Sequence, residues 1–528
     1  MAESPKDVSV TGLEELKALL LQALEENARL KAENAELREE IARLKGLKGR
    51  PKLKPSGMEK AAEASAAKGG RRKGRRGAKR TKLSINETRI GKPDNLPAAA
   101  RFKGYEDFIV QDIVIKPWTI RYRRERWLLP SGETVVAALP KGVTSHFGPE
   151  LKRFILSQYH QGQVTIPRLL GLLQDLGMDI SKRQIVRLLS GKQDAFLAEA
   201  KEVLRAGLAS AFWITADDTG ARHKARNGFC THIGNDRFAW FGTTYSKSRL
   251  NFLELLRAGR DDYVINAAAL DYMRDHKLPQ ATIALLTADA ERRFTGRDAF
   301  MAHLEKLGLP SLKVRPDPVQ VATEGALWGS IAEQGLLDGT VIVSDGAGQF
   351  KIAEHALCWV HAERLIHKLD TFCEAQVQAK ERIRARIWRL YKDLKAYRPA
   401  PARRRARELS RRFDSIFSTE TGFVTLDRLL ARLHAQKEDL LAVLKRPEIP
   451  LHTNGSENDI RCQVTRRKIS AGTRSDLGRD SRDAFLGLMK TCTKQAISFW
   501  DYLGNRLGVP DAPDVPSLAE LIRAPAQA

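Results

Sequence analysis

Residues 211–218 read AFWITADD, an apolar run that ends in two aspartates. A second run of this kind, GTVIVSD, spans residues 339–345. Both runs are short and rich in β-branched or aromatic residues, which predicts buried strands of an α/β sheet. Because the carboxyl ends of neighbouring parallel strands meet at one edge of such a sheet, Asp217 and Asp345 are candidate members of one site.

A third carboxylate lies in the stretch HTNGSENDIR, residues 452–461. Asn454 or Ser456 is a candidate helix cap, and either choice places Glu457 in the first turn of a helix. Catalytic Mg²⁺ is typically held by a few carboxylates, and two such ions support in-line phosphoryl transfer. The three acids are therefore candidate magnesium ligands. The alternative is that each is an ordinary solvated loop residue.

The composition indicates a polyanion as partner. The 528 residues include 89 Lys and Arg against 64 Asp and Glu, which gives a net charge of +25 and a pI near 9.9. A chain this basic usually meets nucleic acid or an anionic membrane surface, and its length predicts about three or four domains. No apolar run approaches the ~18–20 residues of a membrane span, and the N-terminus has no signal-peptide pattern. The five scattered cysteines favour a reducing compartment. We therefore expect a cytoplasmic protein without a membrane partner.

The first 48 residues carry a heptad repeat. Leu30 and Leu37 occupy d positions, Asn27 and Asn34 occupy a positions, and acidic g positions face basic e positions of a partner helix. This pattern predicts a coiled coil that pairs two copies in parallel through these residues. The alternative is a single amphipathic helix packed on its own domain.

Positive charge is concentrated in two segments. Residues 49–82 contain thirteen Lys and Arg with two Glu, and residues 380–412 contain fourteen with three acids, so each segment carries +11. The first is predicted to be a disordered linker that attracts phosphate, and the second lies in a stretch that is helical almost throughout, residues 363–445. The alternative is that both segments are merely solvated.

Two small modules are predicted before the α/β region. Residues 93–148 have strand-like runs at Phe108–Ile115 and Trp118–Leu129. Helices are predicted at Ile166–Leu176 and Ser181–Ser190, with Ser181 as N-cap of the second. The pair has the layout of a helix-turn-helix, in which the second helix reads the DNA major groove. The alternative is plain helical packing. The proposed DNA-reading residues are Lys182, Arg183, Gln184 and Arg187.

The α/β region contains further local signals. A hairpin is predicted from Phe229–Gly234 and Arg237–Tyr245, and a helix at Leu250–Arg257. Residues 355–361 look strand-like and run into a helix. Asp289 ends another apolar run and is a weaker candidate for the second acid.

Several blocks together resemble a DDE transposase of the insertion sequence 66 family. They are, in chain order, TADDTGAR at 215–222, VSDGAGQF at 343–350, CWVHAERLIHKL at 358–369, NGSENDIRCQVTRRK at 454–468 and LGLMKTCTKQAISFWDYLGNRLG at 486–508. The resemblance implies a multidomain α+β protein with an N-terminal coiled coil, a helix-turn-helix module and a ribonuclease-H-like α/β catalytic core with a helical insertion. The expected domains are 1–48 coiled coil, 49–92 basic linker, 93–148 β-rich module, 149–200 helix-turn-helix module, 201–362 first part of the core, 363–450 basic helical insertion, 451–510 second part of the core and 511–528 tail.

Carried onto this chain, the resemblance makes Asp217, Asp345 and Glu457 both catalytic residues and ligands of two Mg²⁺ ions, with Mn²⁺ as a substitute. Asp218 is the rival to Asp217. Cys358 and His361 are expected to be structural or to support the ligands, and no zinc is expected. Basic residues after the glutamate are expected to contact phosphates: Arg461, Arg466, Arg467 and Lys468.

The implied function is cleavage of DNA at the terminal inverted repeats of an insertion element and joining of the 3′-hydroxyl ends to target DNA. The expected partners are these DNAs, a second copy or higher oligomer of the chain, and accessory proteins of the same element. Two alternatives remain open: a DNA-binding regulator derived from a transposase, and a ribonuclease-H-like nuclease without strand transfer. No role is assigned to residues 258–338.

Overall fold

The computed structural model describes residues 85–93, 97, 100–140, 143, 145–309, 311–312 and 316–524. Residues up to 109 and residues from 110 onward form two separate units. The predicted coiled coil, with Asn27, Leu30, Asn34 and Leu37, lies outside the described residues, and so does the basic segment at 49–82. Among the described residues, no helix is both long enough and apolar enough to cross a membrane.

The strands expected at Phe108–Ile115 and over most of Trp118–Leu129 are wrong. Residues 101–125 have no regular secondary structure, and only a short exposed hairpin follows, with β1 at Arg126–Leu128 and β2 at Thr134–Val136. A strand is stable only when another strand pairs with it and its side chains pack. No described strand pairs with the run at 108–115, and the Phe108 side chain is 91% exposed.

Four helices precede the main sheet: α1 at Pro149–His160, α2 at Ile166–Asp175, α3 at Lys182–Ser190 and α4 at Asp194–Ser210. The prediction of α2 and α3 is confirmed, as is Ser181 as N-cap of α3. Val186 of α3 is 40% exposed. Its position four residues after Lys182 places it on the same face as that charged residue.

The main sheet begins with three long strands, β3 at Trp213–His223, β4 at Arg226–Gly234 and β5 at Ala239–Thr244. The predicted β4–β5 hairpin is confirmed, since the Asn235 side chain accepts hydrogen bonds from the amides of Arg237 and Phe238 in the turn. Helix α5 follows at Arg249–Leu256, where a helix was predicted.

The described residues of the range 258–338 contain four helices and a two-stranded sheet. The elements are β6 at Asp262–Val264, α6 at Ala267–Asp275, α7 at Gln280–Ala288, β7 at Arg293–Thr295, α8 at Arg297–Lys306 and α9 at Pro318–Glu333. Helix α9 approaches β6 so closely that a Cβ at Gly329 would lie 2.1 Å from the Val264 carbonyl oxygen. Asp289 follows α7 rather than a strand.

The chain then returns to the main sheet with β8 at Val341–Ser344 and β9 at His355–Leu357, and α10 follows at Trp359–His367. The strand expected at 355–361 is therefore shorter than predicted. The sheet order is β5-β4-β3-β8-β9. β3, β4 and β5 are antiparallel neighbours, while β8 is parallel to both β3 and β9. The sheet is therefore mixed, and β3 lies at its centre.

The predicted helical stretch after residue 363 is confirmed. It contains α11 at Glu374–Tyr397, α12 at Arg403–Phe417, α13 at Val424–His434 and α14 at Lys437–Leu440. These helices share a hydrophobic cluster with β8, β9 and α10, distinct from the larger cluster around the rest of the sheet.

The C-terminal helices are α15 at Asn454–Ser470, α16 at Asp476–Lys494, α17 at Phe499–Leu507 and α18 at Leu518–Arg523. Helix α15 packs on β3 and β4, and α16 packs on β5 and α4. The main sheet is thereby covered by helices from both its own segment and the C-terminal part of the chain.

Candidate active site

Strand register brings Asp217 and Asp345 to the same level. β3 and β8 pair in parallel from Trp213 opposite Val341 to Thr215 opposite Val343, and each aspartate lies two residues beyond the last pair. Neighbouring strands are only about 4.8 Å apart, so the two carboxylates share one edge of the sheet. Burial raises the pKa of Asp217 to about 6, and the charge of Asp345 adds to the rise.

Asp217 and its rival Asp218 lie on opposite faces of β3, because successive side chains alternate along a strand. Asp217 shares its face with Thr215. Asp218 instead accepts hydrogen bonds from the Thr231 hydroxyl at 2.5 Å and from the Gln349 amide at 2.9 Å. The carboxylate of Asp218 is thus occupied by structural contacts, whereas that of Asp217 faces Asp345.

Helix α15 carries Glu457 onto the same face of the sheet. The Ser456 side chain is buried, and its hydroxyl donates a hydrogen bond to the Thr215 hydroxyl. Glu457 lies in the first turn, as predicted. The predicted caps are wrong: Thr453 is the N-cap, and no side chain caps the helix. Asn454 and Ser456 are already helical, and Ser456 bonds the sheet instead.

Two residues of α10 contact Glu457. The His361 Nε2 atom lies 3.5 Å from Glu457 Oε1, and the Arg364 guanidinium donates a hydrogen bond of 3.4 Å to the same oxygen. The charge of His361 counteracts the burial that raises the pKa of Asp217, and the charge of Asp345 adds to the contact with Cys358 that raises the pKa of His361. His361 is therefore near the two strand-end aspartates as well as the helix-borne glutamate.

Cys358 is the N-cap residue of α10, the helix that carries His361 and Arg364. It is buried, and its sulfur accepts a hydrogen bond from the Thr453 hydroxyl at 3.6 Å, so it joins the starts of α10 and α15. Burial alone raises the pKa of the Cys358 thiol, but hydrogen bonds from His361 and Thr453 outweigh it and lower the pKa. The same contact with Cys358 raises the pKa of His361.

A buried charge cluster beneath α15 was not predicted from the sequence. His232 lies opposite Asp217 on β4, and its Nε2 atom is 3.3 Å from Asp459 of α15. Lys494 and Lys490 of α16 lie 3.0 and 3.5 Å from the same carboxylate. Burial raises the pKa of Asp459, yet contacts with His232 and Lys494 lower it to about 2. The only sequence signal was an acid two residues after Glu457, on another side of the helix.

The donor atoms fit a hard divalent cation, which prefers carboxylate oxygens. Ionisation of buried Asp217 beside Asp345 is unfavourable without a positive charge, and a cation would relieve both the burial and the repulsion. Among the described residues, no group of three or more His, Cys, Asp or Glu side chains is close enough to hold a metal ion as it stands. Glu457 is held by His361 and Arg364 instead.

The basic residues of α15 are divided between structure and surface. Arg466 stacks on the Tyr159 ring at 3.8 Å and donates to the Tyr159 carbonyl at 2.7 Å, while Arg467 donates to the Gly220 carbonyl. These contacts anchor α15, and the expected phosphate contact of both residues stays a prediction. Arg461 and Lys468 are exposed.

On α3, three of the four proposed reading residues are exposed: Lys182, Arg183 and Arg187. Gln184 differs, because its side-chain carbonyl accepts a hydrogen bond from the Ser181 amide at 2.7 Å. This contact and the reciprocal bond from the Gln184 amide to the Ser181 hydroxyl form a capping box. Gln184 therefore stabilises the start of the helix.

Two comparisons relate this chain to known proteins. Residues 328–481 match the profile of a family described as Transposase IS66 family. The matched range contains Asp345 and Glu457. The chain is also similar to y4jO, an uncharacterized protein of Sinorhizobium fredii, with 49% identity over 324 residues. That alignment covers 61% of this chain and 100% of the relative.

Proposed function

Because this chain belongs to the IS66 family of transposases, we propose that it cleaves DNA at the ends of an insertion element and joins the freed 3′-hydroxyls to target DNA. The observation that carries this proposal is the parallel register of β3 and β8, which places Asp217 and Asp345 at one level. The Ser456–Thr215 hydrogen bond, which brings Glu457 to the same face, supports it.

The core that carries the site is proposed to be ribonuclease-H-like. Three antiparallel strands followed by two parallel ones, with acids on the central strand and its parallel neighbour, support this assignment. The helices between β9 and α15 form the insertion between the second aspartate and the glutamate.

Asp217, Asp345 and Glu457 would hold Mg²⁺, as two ions for which Mn²⁺ can substitute. When bound, these ions would neutralise phosphate charge and favour the deprotonated nucleophile. The chain itself orients the ligands: His361 and Arg364 restrain Glu457, and Thr215 fixes the start of α15 through Ser456.

The chemistry would exchange phosphodiester bonds without a covalent enzyme intermediate. In cleavage, the oxygen of water bonds to phosphorus, the bond from phosphorus to the 3′-oxygen breaks, and a proton from water passes to that oxygen. In joining, the freed 3′-hydroxyl attacks a target phosphate, a phosphorus–oxygen bond of the target breaks, and the proton passes to the leaving oxygen. One site can serve both steps in succession.

Recognition of the element ends is assigned to α3. Lys182, Arg183 and Arg187 are exposed on a helix whose start is stabilised by the Ser181–Gln184 capping box, and such a helix suits insertion into the major groove. Arg461 and Lys468 would contact phosphates near the scissile bond. The N-terminal coiled coil would pair two copies and thus two ends, with accessory proteins of the element as further partners. This activity would place the protein with the bacterial chromosome in the cytoplasm.

The test is incubation of the purified full chain with Mg²⁺ and a labelled duplex that contains one element end. We expect a nick at the end and, with target DNA present, a joined product. A protein that binds the end but never cuts it would be a regulator. A protein that cuts but never joins would be a nuclease. Either result would contradict the proposal.

A further inference from the structure

The helical insertion carries a strongly basic surface that the proposed site does not use. On α11 and α12, eight Arg and Lys side chains are exposed and make no ion pair or hydrogen bond with any described residue, and six of the eight are aligned in two stripes. We call these six the basic face. Its members are Arg382, Arg389 and Lys392 of α11, and Arg404, Arg407 and Arg411 of α12.

Helical spacing aligns the members of the basic face. Arg404, Arg407 and Arg411 follow each other at three and four residues, so they form one stripe on α12. Arg382, Arg389 and Lys392 are separated by seven and three residues and form a second stripe on α11. Each stripe therefore presents three cations to one side of its helix.

Contacts between the helices hold the two stripes side by side. Asp393 of α11 lies 3.3 Å from Arg405 and also pairs with Arg412 on α12. Arg386 of α11 donates hydrogen bonds of 3.0 Å to Ser415 and Thr419. The helices are thus antiparallel neighbours, with these contacts between them and the stripes facing outward.

The acids of the segment do not neutralise the basic face. Residues 380–412 contain three acids, and each pairs with an arginine outside the basic face. Glu381 contacts Arg384 at 2.9 Å and Glu408 contacts Arg405 at 2.6 Å, while Asp393 takes the two contacts described above. The six charges of the basic face are therefore left for a partner.

The start of α12 shows that this charge disfavours the helix that carries it. Arg403, Arg404 and Arg405 occupy the first turn, where no acidic residue and no side-chain cap is present. Cations are disfavoured at that end by the helix dipole. Arg405 offsets this cost by pairing with Asp393 and Glu408, but Arg403 and Arg404 make no such contact with a described residue, which points to an external polyanion.

We propose that the basic face binds the phosphate backbone of duplex DNA, without regard to sequence, beside the DNA held at the active site. The proposal rests on the proposed function for its choice of ligand. The stripe on α11 spans about 15 Å, and a duplex carries about nine phosphate charges over that length. None of the exposed side chains of α12 is apolar, so this helix offers no anchor for a protein partner.

The test measures how the affinity of the full chain for a random-sequence duplex depends on salt concentration, and compares the wild type with two variants. A plot of log affinity against log salt concentration has a negative slope, and each phosphate contact contributes about −0.9 to it. Replacing Arg404, Arg407 and Arg411 with Gln should therefore make this slope shallower by about three. The second variant replaces Arg382, Arg389 and Lys392 with Gln, and its salt dependence should become shallower by the same amount. The same result from two different helices could not come from a local folding defect in one of them.

The matched control replaces three exposed cations that already pair with carboxylates. Arg274 lies 2.5 Å from Asp271, and Lys445 lies 2.6 Å from Glu438. Lys306 lies 4.0 Å from Asp289. The control should keep the wild-type slope. Wild-type slopes in both stripe variants would overturn the inference. Because binding is measured without cleavage, loss of the proposed enzymatic function would not alter this result.

Discussion

The hydroxyl of Ser456 donates a hydrogen bond to the hydroxyl of Thr215, and Thr215 in turn donates to the Gly234 carbonyl at 2.9 Å. Ser456 precedes Glu457 on α15, and Thr215 precedes Asp217 by two residues on β3. This chain of hydrogen bonds therefore sets the distance between the helix-borne glutamate and the strand-borne aspartate. Positions of catalytic groups matter at the scale of about 1 Å.

Replacing Ser456 with Ala should impair cleavage more than folding. Loss of one buried hydrogen bond lowers the free energy of unfolding by about 0.5–1.5 kcal/mol, whereas displacement of Glu457 should reduce the cleavage rate by about tenfold or more. Thermal unfolding and single-turnover cleavage measure the two effects. The control is Ser470→Ala at the exposed end of the same helix, and equal rates for both variants would refute the role of Ser456.

Divalent cations should stabilise the folded protein through the three carboxylates. A ligand that binds only the folded state raises its stability by about 2.7 kcal/mol at one hundred times its Kd. We therefore expect Mg²⁺ to raise the Tm of the wild type, and to raise it much less in Asp217→Asn or Asp345→Asn. Asp218→Asn is the comparison, because Asp218 bonds Thr231 and Gln349. The same Mg²⁺ response in all four proteins would count against the ligand assignment.

Substitutions on α3 should separate DNA reading from helix stability. Ala at Lys182, Arg183 and Arg187 should reduce the preference for element ends over random duplex while leaving the Tm near that of the wild type. Gln184→Ala should instead lower stability by about 0.5–2 kcal/mol, because it removes half of the capping box. Competition binding and thermal unfolding provide the readouts, and unchanged end preference in the triple variant would place the reader elsewhere.

Acid should abolish the contribution of Asp476 to stability. Hydrogen bonds from Lys224 and His223 lower the pKa of Asp476 from 3.8 to about 2. A carboxyl group with a lowered pKa in the folded state stabilises above its unfolded pKa, and the effect is lost as pH falls through the folded one. The Tm gap between wild type and Asp476→Asn should therefore be full near pH 6 and narrow from about pH 4 to about pH 2.

Lys224→Gln provides the check on that assignment. This variant removes the lysine of the 2.5 Å ion pair and keeps Asp476. The difference in Tm between the wild type and Lys224→Gln should therefore narrow over the same pH range. A gap that stays constant down to the lowest pH at which the protein folds would show that the ion pair does not contribute.

Local signals in the sequence predicted much of the architecture. The cap at Ser181, the turn at Asn235 and the apolar runs before Asp217 and Asp345 were each sufficient to place their elements. These features are encoded by neighbouring residues, so no knowledge of the rest of the fold is needed.

Features that depend on distant residues were missed. The β3–β4 turn has φ of 48° at Lys224 and 61° at Ala225, where Gly or Asn would normally signal it. This turn is stabilised from afar, since the Lys224 amide donates to the Thr473 carbonyl at 2.8 Å. The pairing of His232 with Asp459 likewise joins residues more than two hundred positions apart. The strands wrongly expected near Phe108 have the opposite cause. Their residues favour a strand, but no described strand lies beside them to pair with.

Strand transfer from a pre-cut element end tests most directly whether Asp217, Asp345 and Glu457 form a transposase active site. A labelled duplex with a free 3′-hydroxyl is incubated with supercoiled plasmid, Mg²⁺ and one of five proteins: the wild type, Asp218→Asn, Asp217→Asn, Asp345→Asn or Glu457→Gln. We expect label joined covalently to plasmid by the wild type and by Asp218→Asn, and none by Asp217→Asn, Asp345→Asn or Glu457→Gln, although all five proteins bind the end. Joining at the wild-type rate by any of the last three, or no joining by a wild-type protein that binds the end, would contradict this assignment.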